Sequence, residues 1–182
     1  YPLRCPVTWN SIVGTNVAAD ALSNLSSPGV TGGALIVSGE DYGEGASVIQ
    51  ERTQAYAMKS TMLLLDPRPD LEVMVHMVEH GFAMSEASHM PAILQLRIRA
   101  CHVRGSFTCK DNIAPRISTQ HRLAEPAPFQ YAKLAHPPVI YGHEKLKVEE
   151  RIPAAQAYIT AHGLNERFDG TRADVGLIVQ GG

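Results

Sequence analysis

Gly32-Gly33-Ala34-Leu35-Ile36-Val37-Ser38-Gly39-Glu40-Asp41-Tyr42-Gly43-Glu44-Gly45 is the stretch on which the fold turns. Residues 34–37 form an apolar run with no polar interruption, bounded by glycine, which predicts a strand buried on both faces. The run then breaks into a loop dense in glycine and carboxylates. In an open parallel sheet, ligands sit beyond the carboxyl ends of the strands. Chemistry is therefore expected first at Glu40, Asp41, Tyr42 and Glu44. The competing reading is that these are solvated turn acids. Gly43-Glu44-Gly45 puts a carboxylate where a phosphate-binding turn needs bare backbone amides, which disfavours pyrophosphate there. Arg52, on the following segment, either clamps a ligand carboxylate or pairs with Glu40 or Asp41 as a structural bridge; the bridge is preferred.

Working outward, residues 5–9 read as a short strand. A helix follows, capped by Thr15 or Asn16, with Val17, Ala18, Ala21, Leu22 and Leu25 at helical spacing and Ser26-Ser27-Pro28-Gly29 as its stop. Residues 47–59 read as a helix with Val48, Ala55 and Met58 among its apolar positions, and residues 61–65 as a second buried strand. Asp70 caps the clearest helix, whose stripe is Leu71, Met74, Val75, Val78 and Phe82. Residues 92–98 are a third strand. There Gln95, Arg97 and Arg99 alternate with Leu94, Leu96 and Ile98, predicting a half-exposed or edge position. Strands alternating with helices over short joints predict an α/β fold, a parallel sheet with helices on both faces, over residues 1–105.

Residues 106–142 carry Pro115, Pro126, Pro128, Pro137 and Pro138 and read as an irregular connector or arm. Residues 143–172 are a helical linker, in which 145–151 form a solvated charged face and Pro153 kinks or splits the helix. Residues 173–182 read as a buried strand opening a further domain, so the chain is expected to be an internal piece of a longer polypeptide.

The net charge of −2 gives no nucleic-acid footprint, and no apolar run is long enough to span a bilayer as a helix. Cys5, Cys101 and Cys109 are odd in number and hold no Cys-x-x-Cys pair, so the chain builds neither a zinc ribbon nor an iron–sulfur cluster by itself. Reduced thiols and a cytoplasmic location are expected, with Cys5 a small buried residue. His76-Met77-Val78-Glu79-His80 matches the H-x-x-E-H pattern, in which two histidines on one helix face hold zinc and the glutamate acts as base. These side chains lie opposite the apolar stripe and are expected to face solvent, and a third ligand would have to come from Glu144, Glu149 or Glu150 on the charged helix. His89, His102, His121, His136, His143 and His162 read as surface or capping residues. Ser38 lacks the preceding glycine of a nucleophile elbow, and neither a G-x-G-x-x-G nor a Walker pattern is present.

Val13-Gly14-Thr15-Asn16-Val17-Ala18-Ala19-Asp20-Ala21-Leu22 resembles a segment of the large subunit of indolepyruvate ferredoxin oxidoreductases, where a Gly-x-Asn-Val-Ala-Ala-Asp run opens the helix after a strand. Gly32–Asp41 resembles that family's glycine-led strand ending in paired acids. Gln50-Glu51-Arg52-Thr53-Gln54-Ala55-Tyr56-Ala57 resembles its next helix, and Cys101-His102-Val103-Arg104-Gly105 resembles a Ser/Cys-His-x-Arg-Gly ending. Residues 174–182 resemble the first strand of the following transketolase C-terminal-like domain. The match is good over residues 13–105 and thin over 106–173. The family often has Asp-Asp-Pro where this chain has Glu40-Asp41-Tyr42.

The resemblance implies most of a thiamine-diphosphate pyrimidine-binding domain. The parent enzyme would decarboxylate aryl 2-oxo acids oxidatively with thiamine diphosphate and Mg²⁺. It would pass electrons through [4Fe-4S] clusters to ferredoxin and release an acyl-CoA. Asn16, Glu40 and Asp41 match family positions near the cofactor cleft. The catalytic glutamate is expected upstream, and the diphosphate domain and cluster cysteines downstream, on the rest of the parent chain or a partner subunit. The piece alone is expected to be inactive and, with an unpaired sheet edge, to form homo-oligomers. The rival readings are a non-catalytic α/β assembly module and a zinc hydrolase using His76, Glu79 and His80.

Overall fold

The computed structural model describes residues 4–41, 43, 49–113 and 129–181, with Asn10 and Ser11 described in backbone only. Tyr42, Glu44 and Val48 of the expected acidic loop and helix, and Pro115, His121, Pro126 and Pro128 of the expected arm, lie outside the described residues.

The strands β1 (Cys5–Asn10), β2 (Ala34–Glu40), β3 (Leu63–Leu65) and β4 (Ala92–Arg97) form one all-parallel sheet in the order β1-β2-β4-β3. Helices cover both faces, so the expected α/β fold is the observed one. On one face, α1 (Ser11–Val17), α2 (Ala19–Ser26) and α3 (Thr53–Ser60) cover a core built from Leu22, Ile36, Tyr56, Ala57, Met62 and Ile93. On the other, α4 (Leu71–Ser88) and α7 (Ile152–His162) cover Leu35, Leu65, Met84, Ala92 and Leu94. The short helix α5 (Ile98–His102) follows β4, and α6 (Val139–Leu146) runs into α7 through a π-helical turn, Lys147–Arg151.

β4 is not an edge strand. It lies between β2 and β3 and is buried from Ala92 through Gln95. The polar alternation that suggested exposure has another origin: Gln95 and Arg97 face the α1–α3 side at the polar end of the sheet. β1 is an exposed edge of the sheet, and Pro6 sits there. Cys5 N–H donates to Gly33 O toward β2, so the alternation of the strand turns Pro6 outward, where a missing donor costs no ladder bond. Cys5, expected in the core, is exposed on this edge; Cys101 and Cys109 are exposed elsewhere.

The first helix begins at Ser11, four residues earlier than its expected cap, so Thr15 and Asn16 lie inside it. Val17 is 84% exposed, and Ala18, Ala19, Leu22 and Leu25 carry the packing instead. α3 starts at Thr53, and its buried residues are Thr53, Tyr56 and Ala57, while Ala55 and Met58 are exposed. The Tyr56 hydroxyl bonds Ser23 at 2.9 Å and reaches the Ala19 carbonyl, tying α3 to α2.

Asp70 caps α4 as expected, its Oδ1 accepting from Val73 N at 3.1 Å. The apolar stripe is only partly the seam. Val78 and Phe82 pack on the core, but the buried residues are Gly81, Met84, Ser85 and Ser88, and Val75 is exposed. Small residues bring this helix close to the sheet. A Cβ at Gly81 would stand 2.7 Å from Leu35 Cδ1, and Ser85 Oγ accepts from Ala34 N at 3.0 Å. Helical periodicity in large apolar residues does not register such a contact.

The charged face expected over 145–151 is only half solvated. Lys145 and Glu149 are exposed, but Lys147 is buried and pairs with Glu144 at 2.8 Å. Arg151 donates to the carbonyls of Ser27 and Pro28 at 3.1 and 2.9 Å, fastening this helical segment to the loop after α2. His143 is also buried, with Nε2 bonded to the Ala132 carbonyl at 2.7 Å. Pro153 stands at the start of α7, directly after the π turn; the widened turn accommodates the ring and the missing N–H without splitting the rod. Residues 174–181 form no strand here, and Leu177, Ile178 and Val179 are exposed. A strand needs a neighbouring strand to pair with, and residues 174–181 join no ladder of the sheet. Among the described residues no helix is long and apolar enough to cross a membrane.

Candidate functional site

β2 and β4 deliver polar side chains to the α1–α3 face at their carboxyl ends. Ile36 and Ile93 pair in register within the core under α2 and α3. Two residues further on, the same face carries the pair Ser38 and Gln95, and two further again Glu40 and Arg97. Ser38 and Gln95 are 0% exposed and Glu40 is 2% exposed.

Glu40 is held from above. Its Oε1 accepts the backbone N–H of Thr53 at 2.8 Å, and the Thr53 side chain faces the carboxyl and favours its charged form. Thr53 Oγ1 lies 2.9 Å from Thr15 Oγ1, and Thr15 Oγ1 accepts the Trp9 indole N–H at 3.0 Å. Thr15 and Thr53 are completely buried. Burial pushes the Glu40 carboxyl above the usual glutamate range. The Thr53 hydrogen bonds and the Arg97 charge pull it back without cancelling the push, and the Asp66 charge adds to it. Asp66, in the turn after β3, is itself raised by burial although Arg97 Nε donates to it at 3.2 Å. Arg97 thus makes a bridge at this end of the sheet, and it goes to Asp66.

Of the three residues singled out from the sequence, Glu40 and Asp41 stand together at the end of β2, Glu40 buried and Asp41 half-buried. Asn16 is exposed on α1, next to Thr15, and its Nδ2 donates to Glu51 Oε2 at 3.1 Å just ahead of α3. It does not cap a helix. The charge of Asp41 is felt at Cys101 on α5, whose thiol is pushed up by burial first and by Asp41 second.

Five buried polar atoms gather here without a hydrogen-bond partner among the described residues: Ser38 Oγ, Glu40 Oε2, Asp41 Oδ1, and both Oε1 and Nε2 of Gln95. Each such atom costs about 1–3 kcal/mol when left unpaired, and native interiors keep few of them. Their concentration at one end of two adjacent central strands is the pattern of a place that a polar group completes. Ser38, Gln95, Thr15, Thr53 and Trp9 were not identified from sequence as members of the site. The available signal was Ser38 itself, a polar residue continuing a strand already read as buried on both faces.

The H-x-x-E-H residues are arranged differently. His76 and Glu79 are exposed, and Glu79 pairs with Lys110 at 2.6 Å, which lowers its carboxyl. His80 turns against α7, with Nδ1 3.1 Å from the Tyr158 hydroxyl and its ring centroid 5.4 Å from that of His162. Among the described residues no group of three or more His, Cys, Asp or Glu is placed to hold a metal ion. His80 joins two helices.

No protein-family model and no solved structure matches the chain. Among curated proteins it is similar to indolepyruvate oxidoreductase subunit IorA of Methanothermobacter marburgensis, 26% identical over 176 residues, which is 96% of this chain and 27% of that protein. The same subunit of Methanothermobacter thermautotrophicus is 31% identical over 98 residues, 54% of this chain and 16% of that protein. That of Pyrococcus abyssi is 33% identical over 93 residues, 51% of this chain and 14% of that protein. The chain thus spans about a quarter or less of the length of these relatives. By its own residues and by these relatives, the chain is similar to part of the indolepyruvate oxidoreductase subunit IorA.

Proposed function

We propose that this chain is the pyrimidine-binding part of a thiamine-diphosphate-dependent 2-oxo acid:ferredoxin oxidoreductase acting on aryl 2-oxo acids such as indolepyruvate. The reading is supported by the shared name of the relatives, each an indolepyruvate oxidoreductase subunit. The observation that carries it to a place in the fold is the set of unpaired buried polar atoms around Glu40. A buried carboxyl, an amide and a hydroxyl fit the edge of a planar aminopyrimidine, which presents both donors and acceptors. They do not fit a diphosphate, since Glu40, Asp41 and Asp66 would repel it. Glu40 and Asp41 would therefore line the ring end of the cleft, with Asn16 at its rim. When bound, thiamine diphosphate supplies the carbanion chemistry; this chain supplies placement, exclusion of water and a carboxyl held by Thr53. Mg²⁺, the [4Fe-4S] clusters and the sites for ferredoxin and coenzyme A fall to the rest of the parent chain or a partner subunit, in a cytoplasmic assembly.

Calorimetric titration of thiamine diphosphate with Mg²⁺ tests this. Binding is expected to the full-length parent protein and not to residues 1–182 alone, and the parent is expected to reduce ferredoxin with indolepyruvate and coenzyme A. A parent protein indifferent to the cofactor overturns the reading. The reading as an α/β assembly module draws on the open edge of β1 and the exposed apolar segment Leu177, Ile178 and Val179. Self-association of the chain with no cofactor response from the parent would favour it.

A further inference from the structure

The buried hydrogen bonds that reach Glu40 have a direction. An indole N–H only donates, so Trp9 makes Thr15 Oγ1 an acceptor at 3.0 Å. The Thr15 hydrogen is then available for Thr53 Oγ1, 2.9 Å away, and the Thr53 hydrogen for the Glu40 carboxyl, which its side chain faces. With Thr15 the donor to Thr53, every donor points the same way, toward Glu40. The arrangement satisfies Oε1 with the Thr53 N–H and leaves Oε2 bare. These members come from β1, α1, α3 and β2, which converge at one point of the fold. Thr15 and Thr53 are fully buried, so water does not compete with the bonds they make.

We propose that Trp9, Thr15 and Thr53 form a one-way hydrogen-bond relay that positions the Glu40 carboxyl with Oε2 presented to a polar ligand atom. They are positioning residues, acting through Glu40. The proposal rests on the functional reading above only in naming an aminopyrimidine edge as what Oε2 meets. The relay itself is a property of the chain.

Ionisation of Glu40 changes how strongly its carboxyl draws on the Thr53 hydroxyl, and the change passes back to the indole. Charged groups around Glu40 are Arg97 on β4, Asp66 after β3, the neighbouring Asp41, and Glu51 and Arg52 ahead of α3. Any of these adds its own field to Trp9, so the experiment must isolate Glu40. Trp9 is the single tryptophan, and its indole N–H gives one cross-peak in a ¹⁵N–¹H spectrum. Residues 1–182 are titrated with acid and that peak is followed, together with tryptophan emission. The wild-type peak is expected to move in one transition lying above the usual glutamate range. Glu40→Gln is expected to abolish the transition. Thr53→Val is expected to abolish it with Glu40 still present, and Thr53→Ser to restore it. A wild-type peak that does not move, a transition retained in Glu40→Gln, or one retained in folded Thr53→Val overturns the relay. Far-UV circular dichroism establishes folding; if Thr53→Val is unfolded, Glu40→Gln and Thr53→Ser carry the test. No ligand is present, so the outcome is independent of the cofactor titration. A relay that titrates in a chain whose parent ignores thiamine diphosphate sinks the functional reading alone, and the reverse pattern sinks the relay alone.

Discussion

Glu40, the last residue of β2, caps α3 by accepting the backbone N–H of Thr53, the first residue of that helix, at 2.8 Å. The residue at the N-cap position, Arg52, makes no side-chain cap bond, so the sheet supplies what the helix lacks. A carboxylate at a helix N-terminus is normally stabilised by the helix dipole. Here burial outweighs that stabilisation and the carboxyl is raised. The strand end, the helix start and the candidate site are therefore one electrostatic unit.

Replacing Glu40 by glutamine should stabilise the fold at neutral pH. The folded-state carboxyl titrates above its unfolded value, so folding favours the protonated form. Its contribution is complete below the unfolded value, about 4.3, and is lost as pH rises through the folded value. The amide in the Glu40→Gln variant would keep an acceptor for Thr53 N and carry no buried charge. Urea midpoints should be higher for the variant than for wild type at pH 8, and the gap should close by pH 4. A variant that loses more stability at pH 8 than at pH 4 contradicts the assignment.

Thr15→Val removes the acceptor of the Trp9 indole and the donor to Thr53 in one step. The expected cost is about 1–3 kcal/mol, from a buried donor left unpaired. Thr53→Val breaks the next link and should cost a similar amount. Because the two share a bond, the double variant should lose clearly less than the sum of the singles. Additive losses in denaturant unfolding would mean the threonines are energetically independent.

The outline of the sheet was legible because it is written in apolar runs: residues 34–37 and 92–96 lie in central strands, where burial on both faces allows little polarity. The order of the strands was harder to read. Gln95 made β4 look like an edge, since its alternation has the form of a solvated face, and only tertiary placement shows that face turned inward. Glu40 and Asp41 were legible as acids in a loop beyond a buried strand, although the strand itself runs on through Glu40. Thr15 was read as a cap because threonine is common at helix starts; its actual use, a bond across to Thr53, joins residues 38 positions apart and has no local signature. The same holds for the exposed segment at 177–179, where an apolar strand pattern was read correctly as apolar but lacks a partner to pair with.

Gly29 should not tolerate alanine. Its φ is +73°, in the left-handed region, and a Cβ there would stand 2.5 Å from the His89 carbonyl and 2.6 Å from Arg151 Nη1. The carbonyl belongs to backbone that also accepts Val30 N at 3.0 Å, so it cannot move aside without losing that bond. The combined strain and crowding should cost roughly 2–3 kcal/mol. Arg151 should also be displaced from the Ser27 and Pro28 carbonyls, so amide exchange in the π turn should rise along with the global loss. An unchanged unfolding midpoint would show that the loop after α2 can be rebuilt.

Acid should loosen α7 from α4 through His80. Its imidazole is lowered from the usual histidine value, by burial first, then by the charges of His162 and His76; Glu79 opposes this and Lys110 adds to it. Across the seam His80 meets the Tyr158 hydroxyl at 3.1 Å, and Tyr158 packs on His162 with ring centroids 4.1 Å apart. A base depressed in the fold favours folding in its neutral form. The contribution is thus present above the unfolded value, about 6.5, and is lost as pH falls through the folded value. Hydrogen exchange should show α7 amides losing protection as pH falls below that range, after correction for intrinsic exchange rates, while β2 and β4 stay protected. His80→Gln, which cannot be protonated, should flatten most of this dependence. Full retention of the wild-type pH profile in the variant would assign the effect to other groups and remove His80 from the seam's acid response.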